Sequence, residues 1–135
     1  MTLKTYTGSC HCGAVRFEAD LDLAEGTGKC NCSICTKTRN WGISIKPEAF
    51  RLLTDESALS DYQFGTLSAH WPFCKTCGVR AFGHGDIPEI GGKYVSVKVN
   101  CLDDVSPEEL LAAPVQHCDG RNNNWWETPA EVRHL

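Results

Sequence analysis

Apolar and polar residues alternate through Val15, Phe17 and Ala19, which predicts a strand with one buried face. Residues 41–46 read as a second strand that Pro47 brings to an end. Residues 62–64 and 68–73 suggest two more. The clearest strand is 94–100, with Val95, Val97 and Val99 on one face and Ser96 and Lys98 on the other. One helix is signalled by Ser106-Pro107-Glu108-Glu109, an N-cap serine, a proline in the first turn and a glutamate three residues on. Leu110 and Leu111 would supply its apolar contact, and Pro114 stops it. Glycines at 83–85 and at Gly91-Gly92 predict turns. Short strands with one short helix make a mainly β protein whose small core a metal would supplement.

The chain has 135 residues, of which 41% are hydrophobic and 22% charged, so one soluble domain spanning 1–135 is expected. No apolar run approaches the length of a membrane-spanning helix. Met1-Thr2-Leu3-Lys4-Thr5-Tyr6 lacks an apolar signal core, and Val132-Arg133-His134-Leu135 carries no lipidation signal, so a cytoplasmic setting is expected. The formal net charge is -4, with lysines and arginines scattered along the chain. Thiolate ligands to a metal would make the balance more negative. Nucleic acid is therefore not expected as the main partner, nor is a membrane.

Nine cysteines change the picture most. Seven fall into three tight groups: Cys10-His11-Cys12-Gly13, Cys30-Asn31-Cys32-Ser33-Ile34-Cys35 and Cys74-Lys75-Thr76-Cys77-Gly78. An odd count, no export signal and C-x-C spacings too short for an unstrained bridge favour thiolate ligands over disulfides. A two-residue gap lets one turn present two sulfurs to a tetrahedral zinc at ~2.3 Å, with glycine after Cys77 where a positive φ is needed. Spacing leaves two pairings open. Cys32/Cys35 could join Cys74/Cys77, leaving Cys10, Cys12 and Cys30 spare. Alternatively Cys10/Cys12 joins Cys74/Cys77, and Cys30, Cys32 and Cys35 form a three-thiolate site. The second pairing uses every clustered cysteine. A closed four-thiolate site is structural, whereas three protein ligands leave a position for an incoming group. Three thiolates make zinc a poor Lewis acid for hydrolysis but still let it orient a visiting thiol as a nucleophile. The matching chemistry is the making or breaking of a carbon–sulfur bond.

These motifs resemble those of the glutathione-dependent formaldehyde-activating enzyme/centromere protein V family. The likeness lies in Gly8-Ser9-Cys10-His11-Cys12-Gly13-Ala14-Val15-Arg16-Phe17, the middle and third cysteine motifs, Val99-Asn100-Cys101-Leu102-Asp103-Asp104 and Asp119-Gly120-Arg121. The resemblance implies a β-tent of small antiparallel sheets and two Zn²⁺ per chain. One zinc would be structural, on Cys10, Cys12, Cys74 and Cys77. The other would be catalytic, on Cys30, Cys32 and Cys35. It further implies a carbon–sulfur lyase or synthase that joins a small thiol such as glutathione to an aldehyde such as formaldehyde. Asn31 stands where histidine is common in the family.

Lys37, Arg39 and Trp41 follow the middle motif and are candidate substrate contacts: a basic pair for the carboxylates of a glutathione-like thiol, with an indole wall. A solvated loop and a core tryptophan is the competing reading. Cys101 and Cys118 stand apart and read as small buried hydrophobes. His11, His70, His84, His117 and His134 lack ligand spacing, and the polar stretch leading into Trp125 and Trp126 reads as an anchor for the tail. The alternative to an enzyme is a zinc-stabilised interaction module whose second site Cys101 or Cys118 would close. A thiol–disulfide oxidoreductase fits less well, because Cys32/Cys35 lacks a βαβ context.

Overall fold

The structure, a computed structural model, describes residues 3–135; Met1 and Thr2, which open the segment read for an export signal, lie outside the described residues. The strands are β1 (Lys4–Ser9), β2 (Arg16–Leu21), β3 (Thr27–Cys30), β4 (Trp41–Ile45), β5 (Phe50–Leu52), β6 (Leu59–Ser60), β7 (Ala69–His70), β8 (Phe73–Cys74), β9 (Phe82–Ile87), β10 (Gly92–Lys98) and β11 (Val115–Cys118). Two short helices join them, α1 (Ser33–Thr38) and α2 (Pro107–Ala112). The described residues are thus mainly β, in three small sheets ordered β1-β2-β5, β11-β3-β4-β10-β9-β7 and β6-β8. One pairing departs from the antiparallel expectation: β11 runs parallel to β3 at the edge of the largest sheet.

The alternation seen in sequence sets the core. Val15 and Phe17 are fully buried, as are Val97 and Val99. Phe17 stacks on Phe50 with centroids 5.3 Å apart, and Phe82 closes the group at 4.8 Å from Phe50. In β10, register pairs Val97 with Ile43 and Ser96 with Ser44, so the valines share an apolar face with β4. Val99 falls just beyond β10, in a 3₁₀ turn at Val99–Cys101.

Several sequence expectations need correction. Lys98, expected on the solvent side, is 5% exposed because the Trp71 ring covers its ammonium at 4.8 Å. Residues 62–64 form no strand; Tyr62 and Trp71 exchange two backbone hydrogen bonds and the chain around them stays irregular. Gly83 and Gly85 lie inside β9, where a Cβ on Gly85 would stand 2.7 Å from the Ser68 carbonyl and the Tyr94 hydroxyl. Gly91 and Gly92 do turn the chain, both at positive φ. Leu111 is 87% exposed, so Leu110 alone packs α2 onto the core. No helix among the described residues is long and apolar enough to cross a membrane.

Candidate metal centres

All nine cysteines are free thiols. Of the two pairings left open by spacing, the structure brings Cys10, Cys12, Cys74 and Cys77 into one group and Cys30, Cys32 and Cys35 into another; within each, all sulfurs lie within 4.8 Å of one another.

The first group is built from two matching loops. Cys10 N–H donates to the Val15 carbonyl at 3.0 Å, and Cys74 N–H donates to the Val79 carbonyl at 3.0 Å. Gly13 and Gly78 take positive φ inside these loops, which lets the chain fold back under the sulfurs. Backbone N–H groups point at sulfur: Val15 to Cys10 at 3.3 Å, and Thr76 and Cys77 to Cys74 at 3.4 and 3.5 Å. Such donors favour thiolate over thiol. The Cys77 thiol falls to about 6, chiefly through the backbone N–H of Cys12. Sulfurs on a tetrahedral zinc at ~2.3 Å stand roughly 3.8 Å apart. Here Cys10–Cys12 is 3.7 Å and Cys12–Cys74 is 3.6 Å, so this donor set fits zinc.

The second group sits where β3 passes into α1. Cys30 ends the strand, Cys32 caps the helix, and Cys35 lies one turn on, so α1 stacks the last two sulfurs. Cys30 and Cys35 are buried and Cys32 is half-buried. The neighbouring Cys118, Cys32 and Cys35 side chains push the Cys30 thiol down, and the same contact with Cys30 pushes the Cys35 thiol up. Three soft donors in a cluster that already stabilises one thiolate suit a thiophilic divalent metal.

Asn31, between two of these sulfurs, points elsewhere. Its Nδ2 donates to Asp119 Oδ1 at 2.8 Å, its Oδ1 accepts from Arg121 N–H at 2.9 Å, and its carbonyl accepts from Arg121 Nε at 3.0 Å. Asn31 N–H in turn donates to the Cys118 carbonyl at 3.3 Å. The loop after β11 is thereby clamped over Cys30, so closely that a Cβ on Gly120 would stand 2.7 Å from Cys30 Sγ and 2.5 Å from the Trp125 ring. Cys118 is not isolated: register pairs it with Cys30. Cys101 does behave as a buried thiol, with burial raising it to about 11. Sequence reasoning missed the clamp, although Asp119-Gly120-Arg121 and the cysteine before it were visible signals.

A cavity of about 590 Å³ adjoins this group, with Cys30, Cys118, Gln116, Ser96, Trp125 and Trp126 in its wall. Lys37, Arg39 and Trp41 do not line it. Arg39 donates to the Leu135 carbonyl at 3.3 Å, and Trp41 donates to Thr27 Oγ1 at 2.7 Å while it packs against the core. Lys37 is exposed in the last turn of α1. A larger cavity, about 750 Å³, is lined by His70 and His84 but by no cysteine, so size alone does not mark the chemistry.

Fold and sites together define a mainly β protein with two cysteine clusters, each able to take a metal ion. The profile of the glutathione-dependent formaldehyde-activating enzymes matches residues 5–119, and the chain belongs to that family. The crystal structure of a Rhodobacter sphaeroides protein is similar, with a TM-score of 0.67 and 31% identity, covering 82% of this chain and 99% of that one.

Proposed function

We propose that the chain is a zinc-dependent carbon–sulfur lyase or synthase acting on a thiol adduct, with glutathione and formaldehyde as the reference substrates. The observation that carries this reading is the unequal pair of clusters: four mutually close sulfurs in one, and three beside a cavity in the other. Zinc on Cys30, Cys32 and Cys35 would supply a coordination position where an incoming thiol loses its proton easily and is oriented. Cys30 and Cys35 are buried, and the clamped loop holds Cys30 in place beside the cavity. The sulfur then adds to the aldehyde carbon, and the thiol proton ends on the aldehyde oxygen. Reversal releases both. Cys10, Cys12, Cys74 and Cys77 would hold a structural zinc. A reducing cytoplasm, where such thiols survive, is the proposed setting.

Cys32→Ser should remain folded, retain one zinc per chain and lose thiol-dependent consumption of formaldehyde. Unchanged turnover would remove the catalytic assignment. A second reading, a zinc-braced interaction module without chemistry, draws on the pairing of Cys118 with Cys30, which would close the second site permanently. It predicts that formaldehyde consumption stays at the uncatalysed rate at every glutathione concentration.

A further inference from the structure

We infer that Cys118 is a resident fourth ligand of the three-sulfur site, one that a visiting thiol must displace before it can react. This rests on the reading that Cys30, Cys32 and Cys35 hold zinc.

The placement comes from the sheet. β11 and β3 are parallel, with Val115 opposite Thr27, Gln116 opposite Gly28, His117 opposite Lys29 and Cys118 opposite Cys30. Residues opposite one another share a face of the sheet, on strands ~4.8 Å apart. The Cys30 and Cys118 side chains therefore project side by side. Both stand in the wall of the same cavity, so a small thiol can reach them. Cys118 is also fixed in position. Its carbonyl accepts from Asn31 N–H, and the next residue is held by the Asn31 amide. Only the side chain retains freedom, and its other contact is weak: the thiol meets the Lys29 carbonyl at 3.7 Å.

Zinc completes a tetrahedron and takes thiolate readily. With three sulfurs supplied by the motif and a fourth thiol one rung from Cys30, rotation about the Cys118 Cα–Cβ bond brings the missing donor. Cys118 stands outside the group of three that lie within 4.8 Å of one another, so it is poised and not locked. The contrast is with Cys74 and Cys77, which belong to a complete set. Cys101 offers no such option: its sulfur meets the Arg80 carbonyl at 3.7 Å, and it faces no ligand across a ladder.

The exchange balances. The visiting thiol gives its proton to the Cys118 sulfur as that sulfur leaves, and no oxidant or reductant is needed. A ligand held on the same chain competes at an effective concentration on the order of millimolar. Cys118 would therefore shield the metal at low thiol and yield only to a thiol present in abundance.

The test loads wild type, Cys118→Ser and Cys118→Ala with cobalt and titrates each with glutathione. Wild type should bind two cobalt ions and show about one-seventh more sulfur-to-cobalt charge-transfer intensity than either variant, eight sulfurs against seven. Glutathione should restore the missing intensity in the variants. In wild type its half-saturation should lie about tenfold higher, as for a site that is free one-tenth of the time. Equal intensity and equal half-saturation in wild type and variants would overturn the inference while leaving the thiol site standing. A silent titration in the variants would overturn displacement and the thiol site together. Uptake of one cobalt in all three proteins would remove the three-sulfur metal site itself.

Discussion

Asn31 lies between two sulfur donors, yet its amide ties the Cys118–Arg121 loop to the strand beneath it. Asn31→Ala would leave the Arg121 N–H without its side-chain acceptor and the Asp119 carboxylate with Asn122 alone, which predicts a loss of ~1–3 kcal/mol in urea unfolding. Trp125, packed against Gly120, should report the looser loop by fluorescence below the unfolding transition. Lys98 is the other residue whose surroundings run against its chemistry. Its Nζ has Ser96 Oγ at 3.4 Å and the Trp71 ring, and burial pushes the ammonium down from 10.5 to about 8. Below pH 8 the amine is charged in both folded and unfolded chains, and the folded state bears the whole desolvation cost. Between about 8 and 10.5 the folded chain releases the proton first, so stability rises with pH across that window. Lys98→Met should add on the order of 3 kcal/mol at pH 7 and abolish that rise, as read by urea unfolding at pH 7 and pH 9.5. A variant that keeps the wild-type pH slope would place the cause elsewhere.

At the scale of elements, α2 shows how a six-residue helix holds its place. Ser106 Oγ accepts from Glu109 N–H at 3.1 Å, and Glu109 Oε1 accepts from Ser106 N–H at 3.3 Å. The second carboxylate oxygen of Glu109 accepts from the hydroxyl of Tyr6 at 2.8 Å, which docks the helix on β1. Tyr6 is buried, so Glu109→Ala removes the side-chain half of the capping box and leaves the Tyr6 hydroxyl unpaired. Its expected cost is about 2 kcal/mol, against about 1 for Ser106→Ala, both readable as denaturation midpoints. This helix was legible because its capping signal is local. So were β2, β4 and β10, whose alternation is local too. β3 and β11 were not: Thr-Gly-Lys-Cys and Val-Gln-His-Cys are four-residue strands too short to show an alternation, and β11 finds its partner, β3, in a distant part of the chain. α1 was hidden by Ile34, Thr36 and Thr38, poor helix formers by propensity. The turn carrying Cys32 and Cys35 overrides that preference, and Arg39 ends it at φ 49°. The three cysteine motifs were legible because sulfur spacing is a sequence property, but spacing left two pairings open, and the fold is what brings Cys10 and Cys12 to Cys74 and Cys77. Cys118 was not, because its neighbour is set by register.

Across the whole molecule the two clusters occupy different mechanical positions. Cys10 and Cys12 lie in the loop between β1 and β2, in the three-stranded sheet, whereas Cys74 and Cys77 lie in the segment that leads from β8 into β9 of the six-stranded sheet. An ion shared by these four sulfurs would latch one sheet to the other beside the packed rings of Phe17, Phe50 and Phe82. Cys30, Cys32 and Cys35 bridge only neighbouring turns of one local segment. The free energy of a structural zinc is free energy of folding, because the unfolded chain has no such site. Loss of the two ions should therefore have unequal consequences. Cys74→Ser, which removes a fully buried sulfur of the four-cysteine group, should lower the melting temperature by roughly 10 °C or more, the shift expected from a loss of ~3 kcal/mol in a chain of this length. Cys32→Ser, half-buried at the site beside the cavity, should melt within a few degrees of wild type. A chelator added in steps should strip the three-sulfur site first, ending thiol-dependent turnover while the far-ultraviolet spectrum holds. Only removal of the second ion should bring unfolding. The reverse order, or one transition in which metal, activity and fold are lost together, would mean that both clusters support the same cooperative unit, and the division into a latch and a working site would fail.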